Sequence, residues 1–204
     1  MKQSINRLLG VNNVGEKGTL KIAIGITGSL EKIKEIKPII RNMLLKGYEI
    51  KLFGTPMVER HKELVKDLEE MVNHQVIYTI EEAEVYGPSK YFDCMLIAPC
   101  SGNTLSKLAN AITDNAVLMV AKATLRNNRP IILGISSNDA LGLNGANLMK
   151  LLVSKNIYFV PFGQDNPTDK PNSLTSDFSK TEEAIRYALM NKQLQPIIIV
   201  RSNT

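Results

Sequence analysis

From Leu20 to Ile26 apolar residues (Leu20, Ile22, Ile24, Ile26) alternate with Lys21, Ala23 and Gly25, a period of two that predicts a β-strand. Thr27-Gly28-Ser29 follows at once. The period then lengthens, and Ile33, Ile36, Ile39, Ile40, Met43 and Leu44 mark the apolar face of a helix. Pro38 either kinks that helix or begins its main part, and Gly47 ends it. Glu49–Phe53 reads as a second strand, leading into Gly54-Thr55-Pro56; Val58, Leu64, Val65, Leu68, Met71 and Val72 then define one long helix. Residues 76–80 read as a short strand and 81–88 as a polar connection. Met95-Leu96-Ile97-Ala98 suits a buried strand, Pro99 and Gly102 mark a turn, and Leu105, Leu108, Ala109 and Ile112 recur at helical spacing.

Residues 116–125 are apolar on nearly every side, which predicts a helix either deeply buried or covered by another subunit. A strand over 130–135, a helix around Leu148, Leu151 and Leu152, a strand over 156–162, a helix over 181–191 and a last strand over 196–200 complete the pattern. Residues 163–177 are rich in loop formers and read as a lid, a binding loop or a floppy insertion. Residues 1–19 show no period and are expected to form a flexible N-terminal extension, with 20–204 as a single domain.

Strand and helix alternate throughout, which predicts an α/β fold with a mostly parallel sheet covered on both faces. Ligands of such sheets bind outside the carboxyl ends of the strands. Four polar strand ends are expected at that edge: Gly28-Ser29, Thr55, Ser101–Thr104 and Ser136–Asn138. Glycine lets a phosphate approach the backbone, and hydroxyls with the free N–H groups of a helix start favour an anion. Each corner also has an ordinary reading, as a plain turn or a capped helix. Together they suit a phosphorylated cofactor with a flat ring.

Composition narrows the function classes. Apolar residues make up 44% and charged residues 22%, as in globular proteins, and no apolar run approaches a membrane span. The first nineteen residues lack a secretory core, so a cytoplasmic protein is expected. Cys94 and Cys100 have neither disulfide-framework nor zinc spacing, and with only His61 and His74 beside them no metal site is expected. His61 lies within the helical stripe and reads as a packed helix histidine; His74 follows it, in a loop or a capping role. The net charge of +5 is dispersed, with no basic block beside aromatics, so nucleic acid is not expected as a partner.

Ala98-Pro99-Cys100-Ser101-Gly102-Asn103-Thr104, followed by Lys107-Leu108-Ala109-Asn110 and Thr113-Asp114, resembles the Pro-Ala-Ser-Ala-Asn-Thr motif of the homo-oligomeric flavin-containing cysteine decarboxylase (flavoprotein) superfamily, which also holds flavin prenyltransferases. Gly25-Ile26-Thr27-Gly28-Ser29 is similar to its first phosphate loop. Within it, the segments 93–99, 117–127, 138–145, 156–165 and 193–196 are closer to the dipicolinate synthase branch, and the resemblance spans roughly residues 20–200. It implies a Rossmann-like (flavodoxin-like) three-layer sandwich binding FMN, with Gly28 and Ser29 on the flavin phosphate, Thr55 beside the cofactor, and Ser101, Asn103 and Thr104 around the flavin. Asn138 would be the catalytic residue that handles substrate.

The same resemblance implies an oxidoreductase component of sporulation, turning a dihydropyridine dicarboxylate into the aromatic pyridine dicarboxylate. Its partner would be a Rossmann-type A subunit carrying NADP, and the chain itself would form a trimer or a multiple of one. Lys122, Arg126 or Arg129 would either pair with the substrate carboxylates or form solvated surface. The chain departs from the branch at Leu30-Glu31-Lys32, where His/Phe-Cys-Thr is usual. That difference keeps a non-catalytic binding or assembly module in view. Cysteine decarboxylation is disfavoured, because Ile135-Ser136-Ser137-Asn138 lacks the decarboxylases' proline and methionine, and a decarboxylase or prenyltransferase acting alone ranks third.

Overall fold

The computed structural model of the chain describes residues 19–200, so the expected N-terminal extension, its last residue apart, lies outside the described residues. In order the chain forms β1 (Lys21–Ile26), a 3₁₀ turn (Leu30–Lys32), α1 (Ile33–Leu45), β2 (Glu49–Gly54), α2 (Pro56–Glu59), a 3₁₀ turn (Lys62–Leu64), α3 (Lys66–Val72) and α4 (Ile80–Glu84). Then come β3 (Cys94–Cys100), α5 (Gly102–Ala109), α6 (Ala116–Arg126), β4 (Ile131–Ser137), α7 (Gly145–Leu152), β5 (Ile157–Phe159), β6 (Phe162–Gly163), β7 (Leu174–Ser176), a 3₁₀ turn (Phe178–Lys180) and α8 (Thr181–Leu189).

Five strands run parallel in the order β2-β1-β3-β4-β5. Beyond the point where β5 leaves β4, β7 pairs antiparallel with Ser136 and Ser137, and β6 pairs antiparallel with β7. The sheet is therefore mixed but mostly parallel, with helices on both faces. Ile22, Ile24 and Ile26 of β1 pack beneath α1, α3 and α8, while Ala23 faces the opposite core with α5, α6 and α7. Fully burying an isoleucine is worth roughly 1.5–3 kcal/mol, and a one-residue slip would turn all three to the wrong face, so the register of β1 is strongly fixed. Small residues on the α6 side let that helix approach: a Cβ added at Gly25 would fall 2.7 Å from Val117 Cγ1.

Helix α6 is covered from within the chain, by the sheet and by α4; Val117, Leu118, Val120 and Ala121 are all buried. Asn115 caps it, its side-chain oxygen accepting the Leu118 N–H at 3.1 Å. Among the described residues no helix is long and apolar enough to cross a membrane.

Several expected elements differ. The long helix over 58–72 is broken into α2, a 3₁₀ turn and α3. Val58, Val65 and Leu68 are buried as expected, but Glu59-Arg60-His61-Lys62-Glu63 offers no apolar side chain to hold the intervening turn against the core. His61 thus sits outside any helix with its side chain 45% exposed, and is not a packed helix histidine. His74 lies in the loop after α3, with Nε2 2.9 Å from the Ile50 carbonyl oxygen.

The expected strand over 76–80 contributes a single bridge, Ile77 to Phe53. Thr79 ends it by capping α4, its Oγ1 accepting the Glu82 N–H and donating to the Glu82 carboxylate at 2.6 Å. The supposed polar connection 81–88 therefore begins inside a helix. The strand over 156–162 divides into β5 and β6, and 163–177 is closed by the β6–β7 hairpin rather than being one open loop. The last strand over 196–200 is reduced to one bridge between Ile198 and Phe162.

Candidate functional site

Chain order reverses at β1, whose neighbours are β2 on one side and β3 on the other. A crevice opens at the carboxyl ends of the strands at such a point. A cavity of about 420 Å³ lies there, lined by Gly28, Thr55, Met57, Arg60, Ser101, Asn103, Thr104, Lys107, Asp114 and Asn115 among others. That volume is in the range of small-molecule sites.

The loops after β1, β2 and β3 meet at Gly28. A Cβ added there would lie 3.7 Å from Met57 Cγ and 3.8 Å from Ser101 Oγ, so any side chain would fill the cradle. Thr27, fully buried, ties two of these loops together. Its hydroxyl donates to the Pro99 carbonyl at 2.6 Å and accepts the Ser101 N–H at 2.8 Å. Ser101 is the residue preceding α5, yet its side chain does not cap the helix; its hydroxyl donates to Thr104 Oγ1 at 3.3 Å. The first turn of α5 therefore keeps N–H groups without a side-chain acceptor at the cavity.

Of the residues singled out from the sequence, Gly28, Thr55, Ser101, Asn103 and Thr104 line this one cavity. Ser29 and Asn138 do not. The Ser29 hydroxyl donates instead to the Ser136 carbonyl at 2.8 Å, fastening the β1 loop to the end of β4. Asn138 is exposed in the loop after β4. Thr55 is the most informative of the set. It is only 7% exposed, and its Oγ1 is buried with no hydrogen-bond partner. A buried hydroxyl left unpaired costs about 1–3 kcal/mol, a penalty that a polar ligand in the cavity would remove.

The charges of the lining are arranged in two ways. Lys107 Nζ lies 2.5 Å from Asp114 Oδ2, and Asn115 donates to the other Asp114 oxygen at 2.9 Å. Arg60 has no such partner among the described residues. The lining carries one more cation than anions, which favours an anionic ligand. Cys100, next to Ser101, supplies no nucleophile: burial pushes its thiol up to about 12. Burial likewise pushes Cys94 up. Among the described residues no three His, Cys, Asp or Glu gather into a metal-holding group.

Residues 11–161 match the family model described as Flavoprotein. The chain belongs to the flavoprotein family. It is 47% identical over 186 residues to the B subunit of dipicolinate synthase from Bacillus subtilis, covering 88% of this chain and 93% of the relative. It is 30% identical over 163 residues to the flavin prenyltransferase UbiX of Saccharolobus solfataricus, covering 74% and 78% respectively. Among solved structures, the dipicolinate synthase B subunit from Bacillus halodurans superposes with a TM-score of 0.84 at 42% identity, over 90% of this chain and 97% of that one. The FMN-dependent cysteine decarboxylase SpaF shares the fold, with a TM-score of 0.61 at 19% identity, over 83% of this chain and 97% of that one. Within the flavoprotein family the chain is thus a close homologue of the dipicolinate synthase B subunit.

Where this flavoprotein departs from its branch, at Leu30-Glu31-Lys32, the residues form a 3₁₀ turn outside the cavity lining. Glu31 is exposed, and Lys32 pairs with Glu35 at 2.7 Å. Neither charge intrudes on the cradle. Lys122, Arg126 and Arg129, considered for substrate carboxylates, are absent from the lining; they lie towards the amino ends of the strands, where Arg129 precedes β4. Sequence reasoning missed Arg60, Lys107, Asp114 and Asn115. Asn115, three residues before Leu118, carries a readable capping signal, and Lys107 and Asp114 stand in the family motif. Arg60 carried no signal, because the helix break that places it depends on packing.

Proposed function

We propose that this chain is the flavoprotein-type component of a dipicolinate synthase, binding FMN in the cavity at the β1–β3 switch point. Its partner would be a Rossmann-type A subunit that carries NADP, and its substrate dihydrodipicolinate, oxidised to dipicolinate in the sporulating cell's cytoplasm. The observation that carries the reading is the orphaned Thr55 hydroxyl beside the open Gly28 cradle and the uncapped start of α5, all on one cavity of about 420 Å³. Homology to the dipicolinate synthase B subunit at 47% identity supports the reaction.

Aromatisation removes two hydrogens from the ring, one as a hydride equivalent and one as a proton. The partner's NADP would supply the acceptor for the hydride equivalent, and the proton would leave to the partner or to water. A bound flavin would supply a second two-electron acceptor next to the substrate. The chain's own residues bind and orient. Gly28 admits the ligand to the backbone, Thr55 meets a polar atom of it, and Ser101, Asn103 and Thr104 hold its polar edge. Ser29 steadies the loop through Ser136, and Asn138, exposed outside the cavity lining, would meet only a substrate that reaches beyond the cavity on the β4 side. Exposed Leu143, Met149 and Val153, in and beside α7, supply apolar surface for assembly as a trimer or a multiple.

Native purification tests this directly. The protein should carry stoichiometric oxidised flavin by absorbance, Asn103→Ala and Thr55→Val should each weaken FMN binding about tenfold, and dihydrodipicolinate oxidation should appear only when the A subunit is added. A colourless protein that takes up no added FMN would overturn the flavin assignment and favour the binding or assembly module.

A further inference from the structure

One short element delivers two polar groups without a protein partner to the cavity, one buried and one exposed. Thr55 precedes α2 and Arg60 follows it, and both line the same space. The Thr55 hydroxyl is buried and unpartnered. The exposed Arg60 side chain makes no ion pair or hydrogen bond with any described residue, and the acids nearest to it in sequence are engaged elsewhere. Glu59 faces Lys62 at 3.7 Å, and Glu63 faces His61 at 3.4 Å. Across the cavity, Asp114 is already satisfied by Lys107 and Asn115. The lining therefore holds one neutralised pair and one free guanidinium.

We propose that Arg60 is the residue by which this cavity recognises an oxyanion, its planar fork taking two oxygens of a carboxylate or phosphate group while Thr55 meets a neighbouring polar atom. The inference rests on the cavity being the ligand site proposed above and adds to it a specificity-determining residue. Lys107 is less suited to that part, because a ligand would have to draw it away from Asp114. Arginine binds such groups bidentately, whereas lysine offers a point charge, so the two residues are not interchangeable here.

The test compares the full chain with Arg60→Ala, Arg60→Lys and, as a charge-matched control, Lys122→Ala. Lys122 is exposed and outside the cavity lining. Each is titrated with FMN, with riboflavin, which lacks the phosphate, and with dipicolinate, by flavin fluorescence and calorimetry. Arg60→Ala should lose about tenfold or more in affinity for an oxyanion-bearing ligand. Arg60→Lys should recover only part of that loss, and the control should show none of it.

Weakened FMN with unchanged riboflavin identifies the flavin phosphate as the anion. Weakened dipicolinate with unchanged FMN identifies a substrate carboxylate. Wild-type affinities for FMN and dipicolinate in Arg60→Ala would overturn the inference while leaving the proposed function standing. A wild-type chain that binds neither ligand would overturn both.

Discussion

Gly102 has no space for a side chain: an added Cβ would fall 2.6 Å from Ser137 Oγ and 2.7 Å from Asp139 Oδ1. Those atoms are themselves tied, Ser137 donating to Asp139 at 2.6 Å and Asn144 donating to the other Asp139 oxygen at 2.8 Å. They cannot yield cheaply. Gly102→Ala should push the start of α5 outward, costing about 1–3 kcal/mol and weakening FMN uptake as Ser101 and Asn103 move. Thermal unfolding and a flavin titration of the variant check both effects, and a wild-type result in both would remove the packing argument. The sequence marks Gly102 as a turn residue, but turn conformation is not what it supplies, since among the described glycines only Gly47 has a positive φ. What Gly102 supplies is room, and room is set by residues 35 to 42 positions further on.

At the scale of elements, the cavity depends on β1 and β3 ending side by side. Thr27 holds those ends together through one hydroxyl that serves the Pro99 carbonyl and the Ser101 N–H. Thr27→Val keeps the shape and removes the hydroxyl, leaving those backbone groups without it. The expected loss is about 1–3 kcal/mol in urea unfolding, with Thr27→Ser retaining most of the stability. Equal loss in both variants would point to the methyl group instead. Elements with apolar residues at helical spacing, such as α1 and α5, were legible from spacing alone, and α6 from its nearly continuous apolar run. The strands β6 and β7, Phe162–Gly163 and Leu174–Ser176, are too short to show a period, and they meet each other and β4 across long stretches of chain. The break after Glu59 was hidden for a related reason: the stripe Val58, Val65 and Leu68 is satisfied whether or not the intervening residues stay helical.

Across the whole molecule, the Asp165 carboxylate between β6 and β7 is held chiefly by groups of its own hairpin, with a smaller contribution from Lys32 in the turn that follows the β1 loop. Burial acts to raise the Asp165 carboxyl, but the Ser173 hydroxyl, its own backbone, the Thr175 hydroxyl and the Lys32 charge together hold it below the usual carboxylate range. A depressed folded value means that the carboxylate stabilises the fold above its unfolded pKa of about 3.9, and that this contribution is lost as pH falls through the lower folded value. Asp165→Asn should therefore melt below wild type near neutral pH, with the gap closing in strong acid. Circular-dichroism melts at a series of pH values give the comparison, and a gap independent of pH would refute the electrostatic part of the claim.

The sequence by itself determined the alternation of strands and helices, the two-faced burial of the sheet, and the polar character of each strand end, because period and residue type are local properties. It also placed Gly28, Thr55, Ser101, Asn103 and Thr104 in a common group, through the topology that alternation forces and through family likeness. Tertiary structure alone decided that Ser29 fastens a loop rather than lining the cavity, that Asn138 stands outside it, and that Arg60 and the Lys107–Asp114 pair enter it. Those outcomes depend on which distant backbone and side-chain groups satisfy one another, and no spacing along the chain encodes that.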